Sequence, residues 1–211
     1  MATVNLRIGP ADNGRRMTLE EFREAEEQPG YLYELARGVL EVTEVPGDDQ
    51  GQIVDNLHEA ISDYNRKHPG LIRRIGHGSD IRLIIPELES DRHPDLAVVF
   101  RNFTRMYRDR QRPDLVVEIV SHGRRAKQRD YEEKREEYLE LGIREYWIVD
   151  PEERHVVVLN RIEDQGQVSW SECLFTGVEL IQSALLPGFQ ASVSDLWFDL
   201  NQDFDLNQDE E

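Results

Sequence analysis

Two short apolar stretches, each opened by a Pro-Asp pair, constrain the fold of this chain more than any other feature. The first, HPDLAVVF, covers residues 93–100, and the second, RPDLVVEIV, covers residues 112–120. Stretches of this length that are rich in valine are typical of buried β-strands. An arginine-rich loop separates them, so we predict an antiparallel hairpin in which Phe100 lies opposite Pro113.

An isolated carboxylate, Glu118, stands among aliphatic residues in the second strand. Burial of an ionised carboxylate is unfavourable unless it is paired or binds a cation. Asp114, four residues away on the same strand, lies about 13 Å from it, which is too far to share one ion. The predicted register instead places Asp95 directly opposite Glu118, with Cβ atoms about 4.5–5.5 Å apart. We therefore predict a hard-cation site at Asp95 and Glu118, although a partly exposed strand face would also explain Glu118.

A lysine, Lys134, lies in the middle of the charged amphipathic helix that we predict over residues 127–141. It precedes Tyr138 by four residues and so shares the apolar face of the helix. On that face its ammonium needs acidic partners. Directed at Glu118, it could orient a nucleophilic water and offset charge that develops on an attacked phosphate. A local ion pair with Asp130 and a side chain that extends to solvent are the alternatives.

The remaining elements follow from hydrophobic periodicity, capping residues and turn residues. We predict helices over 18–28 and 50–68, a hairpin over 33–45 with its turn at Arg37-Gly38, and strands over 79–85, 145–149, 155–160 and 167–175. Gly142 is expected to end the helix over 127–141. The pattern predicts the α+β class, with a mainly antiparallel sheet flanked by helices. It also predicts one domain over 1–200, followed by an acidic, disordered tail over 201–211.

The charge balance argues against a nucleic-acid partner at first sight. The chain has 43 acidic and 25 basic residues, a formal net charge of −18, whereas proteins that bind nucleic acid are usually basic. Residues 101–135 are the exception, because eleven bases and six acids give this segment a charge of +5. A solvated surface of mixed charge and a contact with phosphates both explain this segment. In it we predict Arg124, Arg125 and Lys127 as nucleic-acid ligands.

Several features bear on the compartment. The single cysteine, Cys173, cannot form an internal disulfide and fits a reducing environment. No stretch approaches the roughly 20 apolar residues that a membrane-spanning helix needs. The first ten residues, MATVNLRIGP, contain no apolar signal core, which argues against secretion. We therefore expect a cytoplasmic protein without a membrane partner.

The ordered motifs resemble the PD-(D/E)XK nuclease superfamily and, more closely, the bacterial family of "putative restriction endonucleases". The matching pieces lie within 31–159 and comprise Tyr33-Glu-Leu35 with Gly38, Pro94-Asp95, PDLVVEIVS over 113–121, Lys134 with Tyr138, and GIREYWIVDP over 142–151. This resemblance implies a restriction-endonuclease-like core and Mg²⁺-dependent hydrolysis of phosphodiester bonds. It also implies that Glu34 lies near the site, where its carboxylate could bind the metal or a water. Alternatively, Glu34 is an exposed strand residue.

The chain departs from the superfamily pattern in two places. The superfamily lysine normally follows the glutamate by two residues, and Val120 occupies that position here. The more similar family often supplies the lysine from the next helix, which points to Lys134, with Lys127 as the weaker alternative. After Ser121 the chain reads HGRRAKQ where a proline-containing turn is common in the family. Contacts of this loop with substrate therefore cannot be inferred from the resemblance.

Together with the resemblance, these residues predict a metal-dependent DNA endonuclease. Its catalytic residues would be Asp95, Glu118, Lys134 and Glu34, and Mg²⁺ or Mn²⁺ would be held by Asp95, Glu118 and the carbonyl of Ile119. Such a site acts on one strand, so cleavage of a duplex implies a homodimer. A catalytically inactive binding or assembly module with the nuclease fold is the alternative, and the net charge of −18 favours it. An enzyme of the same fold that acts on RNA is a third possibility.

Overall fold

The computed structural model describes residues 6–45 and 47–197 of the chain. Its helices are α1 (Leu19–Glu24), α2 (Asp48–Lys67), α3 (Arg124–Gln128) and α4 (Lys134–Leu141), with a π-helical turn, Arg129–Glu133, between α3 and α4. Its strands are β1 (Arg7–Ile8), β2 (Glu26–Glu27), β3 (Tyr31–Ala36), β4 (Val39–Glu44), β5 (Ile72–Gly76), β6 (Leu83–Ile85), β7 (Ser90–Arg92), β8 (Leu96–Phe100), β9 (Leu115–Ile119), β10 (Glu145–Asp150), β11 (His155–Asp164) and β12 (Gln167–Thr176). The predicted boundary at residue 200 and the predicted tail over 201–211 lie outside the described residues.

The strands form two main sheets and a short separate pair. Six strands pair in the order β12-β11-β10-β9-β8-β5, and four pair in the order β4-β3-β7-β6. Among the described strands of these two sheets, β9 and β10 run parallel, and the other neighbours are antiparallel. Helix α2 packs on one face of the six-stranded sheet and α4 on the other. The predicted α+β class, with a mainly antiparallel sheet flanked by helices, is confirmed.

The predicted register of the central hairpin is also confirmed. Leu96 pairs with Val117 and Val98 with Leu115, and one further step in this register sets Asp95 opposite Glu118. One face of β8 and β9 packs against α2 and the opposite face packs against Tyr138 of α4. Because both faces are covered, these strands are apolar at nearly every position instead of alternating with polar residues. Asp95 and Glu118 lie on the α4 face.

The predicted helix over 127–141 begins earlier than expected, at Arg124, and contains the π-helical turn. It ends as predicted at Gly142, which has a φ of 80° and whose N–H bonds to carbonyls of the last turn. Glycine tolerates this left-handed conformation because it has no Cβ. In the described part of the chain, no helix is both long enough and apolar enough to cross a membrane.

Two predicted elements end or begin at different places. Helix α1 is capped by Thr18 and Glu21 as expected, but it ends at Glu24 instead of residue 28. The following residues, Glu26 and Glu27, pair with β1 and therefore cannot continue the helix. The strand predicted over 79–85 is reduced to Leu83–Ile85, because Gly78–Asp80 forms a 3₁₀ turn.

Two hairpins close through turns of two residues. Arg37-Gly38 and Gln165-Gly166 all have positive φ, as this kind of tight hairpin requires. The first turn was predicted, and the second lets β11 extend beyond the predicted 155–160 to Asp164. β12 begins at Gln167 as predicted and ends at Thr176, one residue beyond the predicted 167–175. Strands β1, β2, β5 and β7 were not predicted. β7, Ser90–Arg92, consists of three polar residues and so carries no hydrophobic pattern that could reveal it.

We predict that Gly142→Ala destabilises the fold by about 1–3 kcal/mol, the usual cost of a left-handed conformation outside glycine. An added Cβ would also lie 2.7 Å from Nη1 of Arg112. The matched control is Gly51→Ala, because Gly51 lies within α2 with nothing within 4 Å of an added Cβ. That change should stabilise by up to about 1 kcal/mol. Urea unfolding measures both, and equal effects of the two changes would contradict the role of Gly142.

Candidate active site

The two carboxylates of the predicted cation site lie where β8 begins and β9 ends. Glu118 is only 2% exposed, and its strand neighbours are the aliphatic residues of the core. The N–H of Ile119 donates to Oδ2 of Asp95 over 2.7 Å, which fixes the Asp95 carboxylate beside the end of β9. Asp95 and Glu118 line one cavity of about 40 Å³.

The ammonium of Lys134 enters the same cavity. Its Nζ lies 2.9 Å from Oε2 of Glu118 and 3.5 Å from Oε2 of Glu34. The ion pair with Asp130 that we considered as an alternative is also present, but at the longer distance of 3.8 Å. Lys134 therefore bridges carboxylates on the sheet and on its own helix. The structure brings all four predicted catalytic residues to one place.

The π-helical turn accounts for the orientation of Lys134. Such a turn inserts one residue into a helix, so it changes which residues after it face the sheet. It also leaves a backbone carbonyl in need of a donor, and the hydroxyl of Tyr146 donates to the carbonyl of Asp130 over 2.9 Å. Tyr146 lies on β10, so the sheet itself stabilises the turn that sets Lys134 over Glu118.

Burial dominates the electrostatics of the cavity. It raises the pKa of Asp95 to about 6, against the opposing effects of Lys134 and of the Ile119 N–H. It also raises the pKa of Glu118, and the nearby carboxylate of Asp95 adds to this effect, so the ion pair with Lys134 compensates only part of it. For Glu34 burial acts in the same direction, but Lys134 and Arg92 outweigh it and hold the pKa below its usual range. The positive charge near Asp95 and Glu118 is therefore too small to offset the effect of burial on their pKa values, whereas the positive charge near Glu34 is large enough.

The sequence did not reveal two residues that support these groups. Tyr138 was recognised as part of a motif without a role, and its hydroxyl donates to Oε1 of Glu118 over 2.5 Å. Arg92 was missed entirely. Its guanidinium is fully buried and donates to both oxygens of Glu137 at 2.9 Å, to Glu41 at 2.6 Å and to Glu34 at 3.3 Å. Its position three residues before Asp95 was the only available signal, because its partners are distant in sequence.

The three predicted nucleic-acid ligands lie on or next to the first turn of α3. Arg124 is exposed. Arg125 forms ion pairs with Glu41 and Glu133. Lys127 contacts a group of carboxylates on and after β10, at 3.0–3.4 Å, namely Asp150, Glu152 and Glu153. Lys127 does not line the cavity, whereas Lys134 does. Phosphates that approach Arg125 or Lys127 would have to compete with these carboxylates.

The donor chemistry of the cavity fits a hard divalent cation. Among the described residues, no three His, Cys, Asp or Glu side chains form a group that could hold a metal ion. Mg²⁺ does not require one, because it commonly uses one or two carboxylates and keeps several waters. The N–H and C=O of one residue in an extended strand face the same edge. The carbonyl of Ile119 therefore faces Asp95, as its N–H does, and adds a third hard oxygen.

Comparisons with known proteins bear on the fold and the family of the chain. The chain matches a crystal structure from Anabaena variabilis ATCC 29413 that is described as a putative nuclease belonging to DUF820. The TM-score is 0.63 at 18% identity, over 86% of this chain and 98% of that chain. This similarity shows the fold. No curated protein matches the chain in sequence. The family model Uma2, described as "Putative restriction endonuclease", matches residues 19–194, and the chain therefore belongs to this family.

Proposed function

We propose that the protein is a metal-dependent endonuclease that hydrolyses phosphodiester bonds in DNA. One observation carries the proposal, namely the cavity where Asp95, Glu118 and Lys134 meet. Its two carboxylates have raised pKa values. This is expected of metal ligands in the absence of the metal, because the charge that would balance them belongs to the bound ion and not to the protein. Membership of the restriction-endonuclease family supports the reaction type.

Asp95, Glu118 and the Ile119 carbonyl would hold Mg²⁺ or Mn²⁺. When bound, such an ion polarises a phosphoryl oxygen and lowers the pKa of a water ligand. The pKa of Lys134 is raised because its acidic neighbours outweigh burial, so this residue remains a cation. It therefore acts by orienting the water and by offsetting charge on the phosphate, and not as a general base.

Glu34 is best explained as a positioning residue. Its Oε1 accepts from the backbone N–H of His93 over 2.6 Å, and its Oε2 faces both Lys134 and Arg92. Its low pKa keeps it ionised, which holds the ammonium of Lys134 in place between two carboxylates. Tyr138 has a complementary role, because burial raises its pKa and keeps its hydroxyl protonated as a donor to Glu118.

An inactive module that binds or assembles is the second candidate. The observation in its favour is that Arg125 and Lys127 are paired with carboxylates of the chain, in a protein of net charge −18. Long-range repulsion from DNA would slow its encounter with a duplex. A DNA-cleavage assay distinguishes the two candidates, because only the endonuclease would cut DNA.

We predict that the protein nicks supercoiled plasmid DNA in Mg²⁺ or Mn²⁺. Glu118→Gln and Lys134→Ala should each reduce the nicking rate by at least about 100-fold, because loss of one electrostatic contact in a transition state has an effect of this size. The controls are Glu59→Gln and Lys67→Ala on α2, because both residues are exposed. They should cleave like the wild type. Cleavage that survives in Glu118→Gln, or that needs no divalent ion, would exclude this site.

A stability measurement tests the raised pKa of Asp95 without any activity. Because the folded pKa of about 6 exceeds the ordinary aspartate value of 3.8, ionised Asp95 destabilises the metal-free fold. This cost is full above pH 6 and fades toward pH 4. Asp95→Asn should therefore stabilise the protein in EDTA by about 1–3 kcal/mol at pH 8 and by less at pH 5. Exposed Asp55→Asn should have no such pH-dependent effect, and a destabilised Asp95→Asn variant at pH 8 would contradict the account.

We also propose that the protein is a cytoplasmic homodimer, because cleavage of both strands of a duplex requires two such sites related by a two-fold axis. The single cysteine, Cys173, is free and exposed, as is usual in a reducing compartment. Sedimentation equilibrium should give about twice the chain mass of 24.6 kDa. A monomer that linearises plasmid in one binding event would contradict the dimer.

A further inference from the structure

A positively charged surface lies at the opposite end of β8 from the cavity. It is formed by the strand β5 and by the loop between β8 and β9, which are held together where the N–H of Arg101 donates to the carbonyl of Leu71 over 3.0 Å. Residues 101–112 contain five arginines and one aspartate, and β5 contains two arginines and no acid. We call five exposed residues of this surface the arginine cluster, namely Arg73, Arg74, Arg101, Arg105 and Arg110.

An aromatic ring organises one side of the arginine cluster. The guanidinium carbons of Arg73 and Arg105 lie 5.2 Å and 5.6 Å from the centre of the Phe103 ring. Stacking on a ring fixes a guanidinium with its donors directed outward, while its charge remains. A similar pair on Tyr107 borders Glu20, Glu24 and Glu89, so we do not include it.

The other side of the arginine cluster lines a cavity of about 230 Å³. Arg74, Arg82 and Arg110 contribute three guanidinium groups to this cavity, and Asp80 contributes one carboxylate. Asp80 lies 3.9 Å from Arg74, and Arg82 is paired with Asp91. The surface therefore keeps an excess of positive charge in a chain whose net charge is −18.

The sheet connects this surface to the candidate active site. β5 is the outermost strand of the six-stranded sheet, and it runs antiparallel to β8, with Ile72 opposite Phe100 and Gly76 opposite Ala97. Its edge therefore leads from the arginine cluster toward the end of the sheet where Asp95 lies. The five residue steps from Asp95 to Phe100 span about 17 Å, which corresponds to about five base pairs of duplex.

We propose that the arginine cluster anchors the phosphate backbone of duplex DNA about five base pairs from the scissile bond. This inference deepens the proposed function and rests on it. It explains how an acidic protein could hold a polyanion although Arg125 and Lys127 are paired with carboxylates. Guanidinium groups that flank an aromatic ring are suited to a backbone contact that does not read sequence.

The test is binding without divalent metal, so that it does not depend on catalysis. Fluorescence anisotropy would follow a labelled 30-base-pair duplex in EDTA between 25 and 200 mM KCl. The cluster variant combines Arg73→Ala, Arg101→Ala and Arg105→Ala. The matched control combines Arg15→Ala, Arg16→Ala and Arg66→Ala, which removes the same charge from exposed arginines elsewhere. We expect the cluster variant to bind at least 10-fold more weakly at 100 mM KCl, and the control to stay within about 2-fold.

The salt dependence gives a second readout. Each lost phosphate contact should lower the slope of log Kd against log salt by about 0.9, so the cluster variant should lose between about two and three. If that variant unfolds, Arg101→Ala alone replaces it, because among the described residues the ring contacts of the cluster are made by other arginines. This single change should lower the slope by about one.

Three results would overturn the inference. The first is that the wild type does not bind the duplex at 25 mM KCl. The second is that the cluster variant and its control lose affinity for DNA equally. The third is that the cluster variant loses self-association while its affinity for DNA is unchanged. The last result would make the surface a contact between copies of the chain. If the cluster variant loses binding but the wild type never cleaves DNA in Mg²⁺ or Mn²⁺, the inference stands and the proposed function fails.

Discussion

The buried contact between Lys134 and Glu118, at 2.9 Å, is the interaction on which the rest of the site depends. Both groups are almost fully removed from solvent, and neither charge would be stable there alone. The geometry that permits the contact has three sources. The register of β8 and β9 sets Asp95 beside Glu118, the π-helical turn directs Lys134 to the sheet, and Oε2 of Glu34 lies 3.5 Å from the ammonium.

A second layer of charge supports the first. Arg92 is completely buried and connects Glu34, Glu41 and Glu137, so it joins the four-stranded sheet to helix α4. A network of this kind is costly to bury unless every member is paired. Asp95 and Glu118 are not partners of Arg92, and the positive charge near them does not offset the effect of burial on their pKa values. The network thus stabilises the positions of the carboxylates while leaving a deficit that a divalent cation could fill.

The sequence allowed the β8–β9 hairpin to be predicted because its information is local. Pro94-Asp95 and the valine-rich strands determine element type, and the spacing of Asp95 and Glu118 about the loop determines register. Lys134 could be located by helical periodicity, since it shares a face with Tyr138. Glu34 needed the family resemblance, because a glutamate in a half-exposed hairpin has no distinguishing pattern. Arg92 and the π-helical turn could not be predicted, since both depend on partners that only the tertiary fold brings together.

Calorimetric titration with Mn²⁺ measures whether Asp95 and Glu118 together bind a divalent cation. We expect about one ion per chain in the wild type, bound more weakly at pH 5.5 than at pH 8 because both ligands must lose protons. Glu118→Gln should abolish the binding, whereas the exposed Glu59→Gln should preserve it. No binding by the wild type, or equal affinity in Glu118→Gln, would contradict the account.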